Sequence, residues 1–508
     1  MLNRVLIHNS FRNFLHFSNV CDILNLLSWR VTNMTCYEVK DMREKYNISQ
    51  SKLAKIADVH PALISAWELN KKEPTEIEVE KIASAVNIAI QHISNDPHGF
   101  YKKRIQKNQN VPKTIPKTIN SKKEYNDQLV KSNRTHKNAF GEELTQLYYL
   151  VQKEKTQNAP RGIALFSGCG GMSLGFEAAG VNLIGHVEIE ETANIIYNAN
   201  FPNSRLLGTD VINIDDENMN SWLNTFGEID FIIGGPPCQG FSLAGKRNPN
   251  DERNKLYHHY AKIIAGIQPK VFVMENVRLL TSMKMDDNSL YIDNITSTFS
   301  ELGYSVTKAE INACNYGVPQ DRNRLILVGV KNNVNNREFI FPEKTHKEQQ
   351  SQYDFFSASK NILTFRQATD DLEYLESGEK STDPLHWSVT HPHHVIEWLK
   401  DVPEGRSAHE NEDVSKRPLS GFNTTYKRLI MDEPSSTIST NFSMISGCRN
   451  VHPTATRSLT IREATRIQTF PDEFIFLGNW GGIRKAIGNA VPPLLAKAIG
   501  DAIMTQLF

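Results

Sequence analysis

The sequence predicts an α/β protein: a doubly wound, Rossmann-like sheet carrying an irregular insert, with a small all-α unit ahead of both. Three observations point there. After Pro160, short apolar, β-branched runs alternate with helical ones, the pattern of a doubly wound sheet. Between about Asn332 and Arg457 the alternation gives way to polar, irregular sequence with scattered aromatics, as an inserted domain would. From about Lys40 to Ser94 the pattern is helical alone, with two short helices across a tight turn.

The chain has 508 residues, enough for several domains and a substantial core. Lys plus Arg equal Asp plus Glu at 57 each, so any affinity for nucleic acid must come from local patches. Six cysteines, at 21, 36, 169, 238, 314 and 448, form no Cys-x-x-Cys pair and no zinc spacing. That fits free thiols in a reducing compartment and points to no metal. No apolar run approaches the length of a membrane span. Met1 to Arg30 carry scattered Arg and Ser with no acid before Asp22, but lack the Arg-rich amphipathy of a targeting peptide. Residues 1–33 are read as a disordered leader or an over-extended start, with Met34 as initiator.

Residues 34–96 form the helical unit. A Ser49 cap precedes Leu53-Ala54-Lys55-Ile56, and Ala57-Asp58-Val59 turns the chain. Asp58 is among the few residues besides glycine tolerated in a left-handed turn. His60-Pro61 opens a second helix through Glu68, Pro suiting a first helical position, and a third helix runs from Glu76 to Val86. Residues 97–158 read as a basic flexible linker: Lys and Arg recur from Lys102 to Lys137, opposed only by Glu124 and Asp127.

The sheet domain is assigned to 159–331 and 457–508, and the insert to 332–456. Strands are expected at Gly162–Phe166, Asn182–Ile189, Ile229–Ile233, Lys270–Met274 and Arg324–Val330. The helices expected between them are Met172–Ala179, Glu191–Asn200, Asn254–Ile267 and Leu290–Leu302. Beyond the insert, Thr460–Gln468 and Arg484–Ala502 are helical.

Chemistry gathers at strand ends. Ile229–Ile233 runs into Gly234-Gly235-Pro236-Pro237-Cys238-Gln239-Gly240-Phe241-Ser242. The prolines stop the strand and leave one thiol at its carboxyl end, where open α/β sheets bind ligands. Such a thiol is a candidate nucleophile, although a lone Cys is more often a small buried residue. Phe166-Ser167-Gly168-Cys169-Gly170-Gly171 is a glycine turn feeding a helix. It is not Gly-x-Gly-x-x-Gly, which disfavours NAD, yet it suits the carboxylate of an amino-acid-like cofactor. Glu188 ends the next strand, where such folds place the acid that grips ribose, and Asp210 ends a third. Alone each is a surface acid or a cap; in this order they outline a nucleoside site. Glu275 ends Val271–Met274, a position expensive for a carboxylate unless it is bonded or functional. Gln320-Asp321-Arg322-Asn323-Arg324 brings two arginines suited to phosphate or carboxylate.

Taken in order, these blocks resemble the C5-cytosine DNA methyltransferase family across residues 162–502. Leu459-Thr460-Ile461-Arg462-Glu463-Ala464, Gln468-Thr469-Phe470-Pro471 and Gly488-Asn489-Ala490-Val491-Pro492-Pro493 complete the set. Ser167 departs from the usual Ala, and His186-Val187-Glu188-Ile189-Glu190 carries Glu where Asp is commoner. The resemblance implies methyl transfer from S-adenosylmethionine to carbon 5 of a flipped cytosine in a specific DNA sequence. Cys238 would attack carbon 6, Glu275 would hold ring nitrogen 3 and the exocyclic amine, and Arg322 and Arg324 would hold the base and intermediate. Phe166, Gly168, Gly170, Glu188, Asp210, Pro236, Asn489 and Val491 would line the cofactor pocket, and the insert would recognise the target.

Residues 34–96 resemble the DNA-binding domain of phage repressors, with Gln50, Ala54, Val59, Ile64, Trp67 and Glu68 at the motif positions. That implies a helix in the major groove with His60, Ala62, Leu63 and Ser65 nearest the bases. The implied partners are double-stranded DNA and a separate restriction endonuclease, in the bacterial cytoplasm or nucleoid. The catalytic part is expected to be monomeric, and the helix-turn-helix able to dimerise. Two alternatives stay open: an RNA cytosine-5 methyltransferase, and a chain that is first a transcriptional regulator.

Overall fold

The computed structural model describes residues 35–45, 48, 50–69, 71, 73–95, 118–119, 125, 137–237, 256–285, 288–334, 338–348, 360–419 and 422–508. The expected leader, the Ser49 cap and Cys238 lie outside the described residues. The chain divides into two compact units, residues 1–109 and 110–508. No described helix is long and apolar enough to cross a membrane, and no described cluster of His, Cys, Asp and Glu could hold a metal.

Among its described residues the first unit has four helices: α1 (Cys36–Lys45), α2 (Gln50–Ile56), α3 (Pro61–Glu68) and α4 (Glu76–Asn95). Val39, Leu53, Ala54, Ile64, Trp67, Ile82 and Val86 close their apolar faces into one core. Asp58 takes φ +54° in the turn between α2 and α3, the left-handed geometry expected of it. Glu68 locks three helices together. Its carboxylate accepts from Arg43 Nε at 2.7 Å and Nη2 at 2.9 Å, and from Gln50 Nε2 at 2.7 Å. Burial alone would raise its pKa, but Arg43 and Gln50 outweigh that and hold it below the usual carboxylate value.

The second unit is built on seven strands: β1 (Arg161–Leu165), β2 (Asn182–Val187), β3 (Arg205–Gly208), β4 (Phe231–Gly234), β5 (Val271–Val277), β6 (Tyr304–Asn312) and β7 (Asn323–Lys331). Their order across the sheet is β3-β2-β1-β4-β5-β7-β6. β7 runs antiparallel to both its neighbours; the remaining pairings are parallel. The order reverses between β1 and β4, so a crevice opens at their carboxyl ends. β1, β4 and β5 are buried along most of their length, as strands covered on both faces must be. Helices α5 (Ala139–Gln152), α6 (Gly171–Ala178), α7 (Glu191–Asn200), α8 (Asp216–Phe226), α9 (Leu256–Ile267) and α10 (Tyr291–Glu301) precede or alternate with the strands. Beyond the insert come α11 (Ile461–Ile467), α12 (Trp480–Asn489) and α13 (Pro493–Leu507). Cys36, Cys169, Cys314 and Cys448 are buried and free.

Two expectations are corrected. The single helix Arg484–Ala502 is two, broken after Asn489 because Pro492 and Pro493 push the residues before them out of helical geometry. The stretch read as a free linker is in part built into the second unit. Thr118–Ile119 pairs antiparallel with Gly478–Asn479, Lys137 bonds Glu473, and α5 begins at Ala139 under an Asn138 cap. Tyr125 is fully buried, its hydroxyl bonded to Phe474 O at 3.1 Å and Arg462 Nη2 at 3.2 Å, and burial pushes the phenol up to about 12. We expect Tyr125→Ala to destabilise the full chain by ~3–5 kcal/mol in urea unfolding and Tyr125→Phe by ~1 kcal/mol. A free tether would leave both variants at the wild-type midpoint.

Candidate active site

The carboxyl edge of the sheet gathers the expected residues. Leu165 pairs with Val187 on one side and Gly234 on the other, and Gly234 pairs with Met274. The turn after β1, Glu188 after β2, the Pro236 turn after β4 and Glu275 near the end of β5 therefore stand along one line. Phe166 leaves β1 at φ +51°, a strained geometry for a bulky residue and one that marks functional turns.

The glycine turn grips Glu188. Gly168 N donates to Glu188 Oε2 at 2.7 Å and Glu190 N to Oε1 at 2.8 Å. Burial raises the Glu188 carboxyl above its usual value, and these backbone bonds oppose the rise. Gly168 sits at φ +55° with open space where a side chain would be. Gly171 is the opposite case: a Cβ there would lie 2.4 Å from Val491 O, so glycine lets the 490 turn press on the start of α6. Gly170 and Val491 are buried in the same wall and Asn489 is exposed. Asp210 is half-buried and caps the turn Val211–Asn213 by accepting from Ile212 N at 3.0 Å. Two residues escaped the sequence reading: Ile189 is 65% exposed and Ile212 52% exposed, each close to one of the acids. An apolar residue left wet beside an acid at a strand end was the available signal. Open space over a glycine turn, two acids and two exposed apolar faces fit a nucleoside with a charged tail.

Glu275 lies across the switch point. Its Oε1 is 2.8 Å from Arg324 Nε, with both side chains largely buried. A Cβ on Gly235 would lie 2.9 Å from Glu275 Oε2, so glycine at the head of the Pro236 turn lets the carboxylate stand there. Asn276 Nδ2 donates to Pro236 O at 3.1 Å and fixes that turn. Arg324 thus orients the acid.

Arg322 does not hold a base. It is 1% exposed, with Nη1 donating to Ile438 O at 3.2 Å and Nη2 to Gly488 O at 3.0 Å and Ala490 O at 2.9 Å. Burial drives its pKa well below that of a free guanidinium, with Arg324 adding repulsion and Glu275 opposing. The expectation that it contacts substrate is corrected: it is a positioning residue joining the start of β7, the insert and the Gly488–Ala490 turn. Gln320 and Gln468 brace the same joint, bonding each other at 3.0 Å and reaching Ile438 N and Ile487 O.

In the helical unit His60 is exposed and caps α3, accepting from Ala62 N at 3.2 Å; Ala62 is exposed and Ser65 half-buried. Leu63 is only 9% exposed, so burial removes it from the residues free to meet a base.

We expect Arg322→Ala to destabilise the fold by ~3 kcal/mol or more, because it strands buried carbonyls, and to weaken cofactor binding in step. Arg324→Ala should keep most of the stability and lose turnover; thermal unfolding beside single-turnover assays separates the two.

The family model described as C-5 cytosine-specific DNA methylase matches residues 160–505, and one described as helix-turn-helix matches residues 39–93. The chain is 37% identical over 346 residues to the Type II methyltransferase M1.HphI of Haemophilus parahaemolyticus, covering 67% of this chain and 86% of that one. It is 34% identical over 372 residues to the Type II methyltransferase M.DdeI of Desulfomicrobium norvegicum, covering 67% and 88%. A solved Escherichia coli prophage protein, described as a DNA modification methyltransferase, shares the fold. Its TM-score is 0.53 at 24% identity, over 69% of this chain and 99% of that one.

Proposed function

The chain belongs to the C-5 cytosine-specific DNA methylase family, and from that premise we propose how its residues carry out the transfer. It is a DNA (cytosine-5-)-methyltransferase with an N-terminal helix-turn-helix. The reading of the site rests on one observation above all: the Glu275 carboxylate seated against Gly235, three residues before Cys238.

S-adenosylmethionine supplies an electrophilic methyl group when bound. Glu188 would accept from the ribose hydroxyls, Ile189 and Ile212 would offer apolar faces to the adenine, and the turn Phe166–Gly170 with Pro236, Asn489 and Val491 would hold the rest. Asp210, whose one oxygen is spent on its cap, keeps the other for the base. Cys238 Sγ, as the thiolate, adds to carbon 6 of the flipped cytosine while Glu275 holds ring nitrogen 3 and the exocyclic amine. Carbon 5 thereby becomes nucleophilic and would take the methyl group as the S–CH3 bond breaks and the neutral thioether leaves; loss of the carbon 5 proton to a base would then expel Cys238 as thiolate. Removing the base from the duplex costs a few kcal/mol of stacking, which contacts from the insert offset.

The relatives are named Type II methyltransferases. We place this enzyme in a restriction-modification system of the bacterial cytoplasm, its endonuclease a separate chain and double-stranded DNA its substrate. Methylation of RNA is disfavoured by those relatives and by the helix-turn-helix. The helical unit autoregulates transcription, with His60, Ala62 and Ser65 on α3 facing the bases.

Labelled methyl transferred to DNA should appear on cytosine carbon 5 by bisulfite sequencing, vanish in Cys238→Ser, and fall ~100-fold or more in Glu275→Gln. Label on RNA alone would reverse the substrate assignment. In a gel shift, the full chain should retard DNA upstream of its own gene, and a His60→Ala, Ser65→Ala variant should not. Equal retardation by both would remove the regulatory role.

A further inference from the structure

The backbone around Glu188 is held by a buried polar layer that the methyl transfer itself does not use. Both carboxylate oxygens of Glu188 are fixed from the turn side, by Gly168 N and Glu190 N. Its carbonyl is fixed from the helix side. Asn194, buried on α7, reaches back six residues and donates from Nδ2 to Glu188 O at 2.6 Å. A carbonyl oxygen only accepts, so this bond decides which way the Asn194 amide points and turns Oδ1 the other way.

His186 stands on that other side. It is fully buried in β2, two residues before Glu188, and its ring stacks on Tyr197 of α7 with 4.0 Å between centroids. Its Nδ1 lies 3.2 Å from Ser204 Oγ. Among the described residues, His186 Nε2 and Asn194 Oδ1 are buried with no hydrogen bond of their own. Burial lowers the His186 pKa to about 4 and Asn194 opposes the fall, so the two side chains face each other. The ring is neutral at physiological pH, and one nitrogen carries the hydrogen. An oxygen that only accepts, facing Nε2, places the hydrogen there and leaves Nδ1 to accept from Ser204. The two unused atoms are thus complementary, and each is expensive to bury unless the other satisfies it.

The layer extends to the opposite wall of the crevice. Tyr197 Oη donates to Ser173 Oγ on α6 at 3.0 Å, and α6 begins at the glycine turn that grips Glu188. Helix α7 is therefore tied to both sides of the acid.

We propose that Asn194 is a positioning residue for the cofactor: its amide, held in one sense by His186, fixes the peptide after Glu188 and so aims the carboxylate at the ribose hydroxyls. A rotation of that peptide would swing the acid off the Gly168 and Glu190 amides. The proposal rests on the reading of Glu188 as the ribose acid and adds what sets its aim.

The test uses the full-length protein, calorimetric titration with S-adenosylmethionine, and kinetics on duplex DNA carrying the site mapped by bisulfite sequencing. Asn194→Ala should bind the cofactor ~10-fold more weakly and raise its KM in step, while kcat falls less than ~3-fold. Glu188→Ala should lose ~10-fold or more, and adding Asn194→Ala to it should cost less than ~2-fold further, because the aimed group is gone. His186→Phe keeps a ring on Tyr197 and removes the donor. It should weaken binding ~3-fold or more, and it carries the test if Asn194→Ala does not fold. A merely structural amide would lower the unfolding temperature and leave cofactor affinity and KM at wild-type values. That result, or full additivity with Glu188→Ala, overturns the proposal alone. Wild-type affinity in Glu188→Ala overturns the ribose assignment and the proposal with it.

Discussion

One buried guanidinium ties the catalytic unit together. Arg322 enters from the start of β7 and gives its donors to the carbonyls of Ile438, Gly488 and Ala490. Those three come from the insert, the end of α12 and the turn that presses on Gly171. A charge so placed is expensive, and carbonyl dipoles from three segments are what makes it tolerable. Arg324, two residues on and within β7, keeps its side chain at the crevice and reaches Glu275.

The same economy recurs in α11. Arg462 and Arg466 are wholly buried and share Asp472, with Asp383 and Asp371 as further partners, while Arg457 bonds Glu463 across the helix start. Every charge in this cluster has a partner of opposite sign, the condition under which buried ions persist. Tyr125 closes the cluster, so a residue from a lysine-rich stretch completes the catalytic core.

Much of this was legible beforehand. β1, β2, β4, β5 and β7 follow from apolar, β-branched runs, and the site from the order of acids and glycines at their ends. β6 was not legible, because residues on both its faces are half exposed and no alternation develops. The two arginines of Gln320–Arg324 look alike in the chain; only contacts more than a hundred residues away separate the rivet from the site residue. The docking of Thr118–Ile119, Tyr125 and Lys137 was hidden by the surrounding lysines, one buried tyrosine counting for little in a composition. The insert reads as irregular because side chains do the work of backbone ladders there. Arg428, for instance, is buried and bonds the carbonyls of Leu399, His452, Pro453 and Ala455.

The buried cysteines have a bearing on selectivity among thiols. Burial pushes the thiols of Cys169 and Cys448 up to about 12 and that of Cys314 up to about 11. Only a thiolate attacks an electrophile, so at neutral pH these three sulfurs are chemically silent. Cys169 illustrates the point: it lies in the glycine turn itself, yet its sulfur is directed to Ala486 O at 3.6 Å. The scaffold thiols are thus kept from electrophiles by the same packing that holds the sheet.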